Sequence, residues 1–253
     1  MSDANGSDSR TARGQQAPDR EPVFLLPNAV TIGIGLLVAV HLARQFVLTP
    51  DGDESLLVWF AFVPTRLFLP AGALPGDWLP LLWTPVTHGL LHADWMHLIF
   101  NTAWFAIVGT PVARRYGWAG FVLVLVVSAI AGALAFLLTS IDATSLQILI
   151  GASGAVAGLT GAAVRFMFQP PVIVTEPETG RRYAVGRRAA SIRQLLAHKQ
   201  ARAFTVLWLV LNAAVPLLPL LGGGTVGIAW QAHLGGFFAG FFLVPWLERR
   251  SVR

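Results

Sequence analysis

From Trp118 to Leu138 the chain reads WAGFVLVLVVSAIAGALAFLL, with no charged side chain anywhere in the run. About 20 such residues span a hydrocarbon core as a helix, in which every backbone hydrogen bond is satisfied internally. A run like this either crosses a membrane or sits inside a large soluble core. Composition decides between the two. Of the 253 residues, 55% are hydrophobic and only 12% charged. Soluble domains carry about a quarter charged residues, so this is a membrane protein, and its mean hydropathy is +0.62.

By the same measure, spans fall near 24–46, 90–110, 118–138, 150–168, 203–221 and 226–247. The second is the least apolar, because its first turns hold His92, Asp94 and His97. Six crossings put both termini on one side, and the excess of Lys and Arg in cytoplasmic loops selects that side. Arg10, Arg13 and Arg20 precede the first span, and Arg114 and Arg115 lie between the second and third. Segment 169–202 adds Arg181, Arg182, Arg187, Arg188, Arg193, Lys199 and Arg202, and Arg249, Arg250 and Arg253 close the chain. The opposite loops hold only Arg66 in 48–87 and no base in 139–149. Both termini are therefore expected to be cytoplasmic. The net charge of +5 reflects this topology, with no nucleic acid as partner.

Residues 1–22 are polar and read as a disordered cytoplasmic tail; no secretory signal is expected there. Segment 48–87 carries Trp59, Trp78 and Trp83 among prolines and glycines. Amphipathic aromatics favour the membrane interface, so this is expected to be a partly helical outer loop lying at the bilayer boundary. Segment 169–202 is expected to be a basic cytoplasmic loop that holds topology rather than binding anionic headgroups. The absence of cysteine excludes disulfides and a thiolate nucleophile.

Polar groups in hydrocarbon are costly and often mark function. Singly, Ser153 could be a packing residue, Asn101 interhelical glue and His233 a core histidine. Their depths argue otherwise. At about 1.5 Å per residue, His97 and Asn101 on the second span, Ser153 on the fourth and His233 on the sixth share one level. Gly236 and Gly240 follow His233 at i+3 and i+7, while Gly154, Gly158 and Gly161 line a face of the fourth span. Small faces let helices approach closely, which a side chain as short as serine needs to reach an imidazole.

A serine beside a histidine is the nucleophile and general base of acyl transfer. The acidic residues fall in the tail, loops or span ends, with none available to orient the base, so the pair reads as a Ser–His dyad with His233 held by packing or a backbone carbonyl. A tetrahedral intermediate needs donors: Asn101, His97 and the Ser153 N–H at a helix N-terminus are at hand. Water must reach the site, so the outer third of the bundle should be wet.

On these residues the sequence resembles the rhomboid family of intramembrane serine proteases. Gly151, Ala152, Ser153 and Gly154 match its Gly-x-Ser-Gly motif. His97, three residues and Asn101 match the second-span pattern, with His92 at its usual place. Ala232, His233, Gly236 and Gly240 match the sixth-span pattern, and Phe60, Val63 and Pro64 the first loop. The resemblance covers about 24–247 and implies an all-α, six-transmembrane-helix bundle, with a protease domain over 23–250. It implies Ser153 as nucleophile, His233 as general base, and His97, Asn101 and the Ser153 amide as oxyanion donors, with no metal and no cofactor. Transmembrane proteins in the lipid bilayer are the implied substrates, cut near their outer ends, and the fifth span would be a movable lateral gate. The expected setting is a bacterial plasma membrane. One departure stands out: members often carry Trp-Arg in the first loop, and here Thr84 follows Trp83.

Other readings explain less. A catalytically silent, client-binding relative would typically lack the serine or histidine. A metal site on His88 and His92 has the i, i+4 spacing of zinc ligands, but His97 turns off that face; His88 and His92 are expected to bond loop backbone instead. A transporter would show internal symmetry, and the six spans show none.

Overall fold

The computed structural model describes residues 26–139, 146–214 and 229–251. The tail expected at 1–22, the loop bearing Asp142, and the junction of the fifth and sixth expected spans lie outside the described residues.

Helix α1 (Asn28–Phe46) fills the first expected span. Helix α4 (Trp95–Thr139) takes up the second and third as one element with a break at Gly117, whose φ of 65° and ψ of −171° are not helical. That left-handed φ favours glycine, and it lets the chain change direction beside Arg114 and Arg115. Among the described residues, α1 and α4 are the two helices long and apolar enough to cross a membrane. The second expected span starts at Trp95 rather than at 90, because the Asp94 side chain accepts the His97 N–H at 2.8 Å and caps α4.

Helix α5 (Ser153–Met167) is central: residues 154–166 are all buried. A helix apolar on every side must be surrounded, and α5 is flanked by α4 and by α8 (Trp230–Ser251). The one guanidinium on α5, Arg165, is buried and satisfied by carbonyls, donating to Ala190 at 2.8 Å and Phe241 at 3.0 Å. Helix α7 (Lys199–Ala213) starts earlier than the fifth expected span, because His198 Nδ1 accepts the Ala201 N–H.

Large apolar side chains point outward, unlike in a soluble protein: Phe100 is 67% exposed and Leu138 71%. The buried interior of α5 is built mostly from Gly, Ala and Thr, with Val156, Leu159, Val164 and Phe166 among them.

Segment 48–87 is partly helical. It contains α2 (Pro50–Phe60), capped by the Thr49 hydroxyl, then single-turn pieces ending in α3 (Thr84–Thr87). Its anchor is Arg66, which donates to the carbonyls of Val58 (2.6 Å), Pro75 (2.9 Å) and Asp77 (2.7 Å). The Trp83 indole donates to Trp59 O at 2.7 Å. The loop is thus tied down without an arginine at position 84.

The chain is mostly helical rather than wholly so. Within the basic segment 169–202, β1 (Pro171–Thr175) and β2 (Arg182–Arg187) form an antiparallel hairpin, with Ile173 opposite Ala184 and Val174 opposite Tyr183. The short helix α6 (Ile192–Ala197) follows, held by a capping box between Ser191 and Gln194. Read for charge alone, this segment hides its β-branched and aromatic residues.

At the Gly117 break, Arg115 donates to both carboxylate oxygens of Glu248 at 2.8 Å, and Tyr116 Oη donates at 2.7 Å. Burial alone would raise the Glu248 carboxyl. The Arg115 and Tyr116 hydrogen bonds and the Arg115 charge outweigh burial and hold it below its ordinary 4.5. Since the folded value is the lower one, its stabilisation is complete above the unfolded value and lost as pH falls through the folded one. Acidification below 4.5 is expected to lower the melting temperature of the wild type more steeply than that of Glu248→Gln. Parallel slopes in a thermal unfolding series would show that the cluster contributes nothing.

Candidate active site

Ser153 is the first residue of α5, delivered by a fixed approach. Phe62 and Leu149 exchange backbone hydrogen bonds at 3.1 and 2.9 Å, and Gly151 N–H donates to His88 O at 3.0 Å. Gly151 then turns with φ +112°; a Cβ there would lie 2.6 Å from the His97 ring. Only glycine permits both the turn and the imidazole beside it. The Ser153 N–H belongs to the first helical turn, whose donors have no intrahelical acceptor.

His233 lies in the first turn of α8. Its helix meets α5 at backbone distance: a Cβ on Gly236 would lie 2.0 Å from Gly154 O, and one on Gly240 1.9 Å from Gly158 O. At that separation His233 Nε2 is 2.8 Å from Ser153 Oγ. Both side chains are half-buried, so a reacting group and water can reach them.

The second helix supplies two further groups. His97 Nδ1 accepts the Ala93 N–H at 3.4 Å, a long bond that leaves the proton on Nε2, the atom against the Gly151 turn. Asn101 is buried and donates Nδ2–H to His97 O at 2.9 Å, with a second N–H on the same nitrogen. The structure therefore brings Ser153, His233 and His97 to one place, while the recorded bond of Asn101 runs along its own helix.

His88 and His92 bond backbone. His88 Nδ1 pairs with Thr84 O at 2.8 Å, and burial pushes its imidazole down to about 4, keeping it neutral. His92 Nε2 accepts the Ala152 N–H at 3.5 Å, and its carbonyl accepts from Arg44 at 2.7 Å. Among the described residues no group of three or more His, Cys, Asp or Glu side chains is arranged to hold a metal ion.

One expectation is corrected. His233 is oriented neither by packing alone nor by a backbone carbonyl: its Nδ1 is 2.8 Å from Asn212 Oδ1, on α7. Asn212 is not a carboxylate, the usual third member beside such a histidine, and so does not stand out in the sequence. The available signal was a lone amide closing the apolar run FTVLWLVLN.

Residues 80–250 match the family model for the rhomboid domain. Similar proteins include the rhomboid protease GlpG of Serratia proteamaculans, 27% identical over 224 residues, covering 88% of this chain and 64% of the relative. The protein of the same name from Photorhabdus laumondii is 26% identical over 228 residues, covering 88% and 63%. That from Yersinia pestis is 27% identical over 217 residues, covering 86% and 63%. This chain thus spans a little under two thirds of the length of these relatives. The match covers more than half of the chain and contains Ser153, His233, His97 and Asn212, and the chain belongs to the rhomboid family.

Proposed function

We propose that the chain is an intramembrane serine endopeptidase that hydrolyses peptide bonds in or near transmembrane segments of other membrane proteins. The observation that carries this is the 2.8 Å approach of His233 Nε2 to Ser153 Oγ, on two helices whose glycines let their backbones touch. That the similar proteins are named proteases supports it.

In this mechanism Ser153 Oγ attacks the scissile carbonyl while His233 Nε2 takes its proton. The carbonyl oxygen becomes an oxyanion that draws on the Ser153 N–H, His97 Nε2–H and the second Asn101 N–H. Collapse breaks the C–N bond, and His233 returns the proton to the leaving amine, giving an acyl-enzyme. Water, deprotonated by His233, then attacks the acyl carbonyl, and His233 returns that proton to Ser153 Oγ as the C–O bond breaks and the acid leaves. The outward apolar surface of α1, α4, α7 and α8 supports a bilayer setting. The topology that goes with it is six spans in a bacterial plasma membrane with both termini cytoplasmic, a tail at 1–22 and the protease domain over 23–250.

Labelling of the purified, detergent-solubilised chain with a fluorophosphonate tests this without knowledge of the substrate. An adduct mapped to Ser153 by mass spectrometry, and lost in His233→Ala, is expected. Folded protein that takes no label, beside a serine protease that does, would overturn the reading.

A further inference from the structure

We infer that Asn212 is a positioning residue that fixes His233 in the tautomer and orientation of a general base, completing a Ser153–His233–Asn212 triad. The inference rests on the endopeptidase reading above.

The chain of hydrogen bonds has only one consistent direction. Asn212 Nδ2 lies 2.8 Å from Trp208 O. A carbonyl only accepts, so the amide nitrogen must face it, and this settles which way the Asn212 amide points. Oδ1 then faces His233 Nδ1 at 2.8 Å, and it too only accepts, so Nδ1 carries the proton. A neutral imidazole has a single N–H, so Nε2 presents its lone pair to the Ser153 hydroxyl 2.8 Å away. With the opposite tautomer, His233 could not take the Ser153 proton. When the imidazolium forms, Nδ1–H keeps its acceptor.

An amide suits this place better than a carboxylate would. Asn212 is on a helix whose neighbouring residues Leu207, Val210 and Leu211 are exposed and apolar, where an ionised side chain is costly. The amide orients the base without a buried charge. The anchor is also shared with helix packing. Trp208, one turn before Asn212, stacks on Phe237 of α8 with ring centroids 4.6 Å apart and planes at 22°. The seating of α7 on α8 and the competence of the base therefore depend on the same turn of helix: if α7 draws away, Oδ1 leaves Nδ1 and the tautomer is no longer specified.

The test is the rate of fluorophosphonate labelling at Ser153 against pH, in the detergent-solubilised 253-residue chain. Misplacing a catalytic group by about an ångström costs about 100-fold, and that is the fall in rate expected for Asn212→Ala at an unchanged melting temperature. Asn212→Asp is expected to recover most of the rate. It should also move the acid limb of the pH–rate profile upward, because a carboxylate at Nδ1 stabilises the imidazolium. A purely structural role would not move that limb. If Asn212→Ala also lowers the melting temperature, the limb in Asn212→Asp alone decides. Wild-type labelling that persists undiminished in Asn212→Ala, or an acid limb unmoved in Asn212→Asp, overturns the inference and leaves the endopeptidase reading intact. Loss of His233-dependent labelling in the wild type overturns that reading itself.

Discussion

Gly240→Ala is expected to lower the melting temperature by about 10 °C, through a loss of about 3 kcal/mol or more at roughly 2–4 °C per kcal/mol. The added methyl would sit 1.9 Å from Gly158 O and 2.5 Å from Gly158 C. Carbon and oxygen do not approach so closely without a bond, and the obstacle is backbone, so no rotamer change relieves it. The α5–α8 pair must separate or shear instead. Either movement gives up the neighbouring backbone-distance contacts, since a Cβ on Gly161 would lie 2.1 Å from Phe237 O and one on Gly236 2.0 Å from Gly154 O. The strain spreads to the Ser153–His233 distance, so activity should fall with stability. Gly35 on α1 is the control. It is exposed, and nothing lies within 4 Å of its Cβ position. Gly35→Ala should gain about 0.5–1 kcal/mol from helix propensity. Equal melting temperatures for the two variants, followed by differential scanning fluorimetry in detergent, would sink the claim that α5 and α8 meet at backbone distance.

Much of the site could be read from the sequence because its signals are local. Gly151 with Ser153, His97 with Asn101, and His233 with Gly236 and Gly240 each sit within one or two turns of a single segment. Their spacing alone puts the small residues on the faces that must meet. What could not be read is non-local. Asn212 and His233 are 21 residues apart, on separate helices, and no periodicity in either announces the pair. Arg66 as the anchor of the first loop is equally obscure, since of its three carbonyl acceptors Val58 lies in α2 and Pro75 and Asp77 belong to irregular backbone that leaves no pattern. The Gly117 break was invisible for another reason: PVARRYGWAG scans as a polar loop between two spans, while the backbone stays helical up to a single residue. Asp94 reads as an ionisable group inside a span by hydropathy, whereas α4 begins after it, at Trp95, with Asp94 as its cap.

His233→Ala is expected to lower kcat/KM by about 10⁴-fold or more on a fluorogenic peptide carrying a transmembrane segment, with Ser153→Ala causing a loss of similar size. The double variant is expected to fall no further. Independent contributions would multiply, whereas groups that act only together give a loss that either single change already exhausts. In the proposed mechanism the 2.8 Å bond between Nε2 and Oγ makes these two a unit: without the imidazole the hydroxyl has no acceptor for its proton, and without the hydroxyl the imidazole has no proton to take. The same cycle ranks the remaining residues. If Asn212 acts through His233 as inferred, Asn212→Ala should cost nothing once His233 is gone, although it is expected to cost about 100-fold in the wild type. In the proposed mechanism His97 acts on the oxyanion and not on the base. His97→Ala should therefore lower whatever residual rate survives in the Ser153→Ala, His233→Ala background. A double variant whose loss equals the product of the single losses would mean that the hydroxyl and imidazole work apart, and the dyad would have to be abandoned despite its geometry.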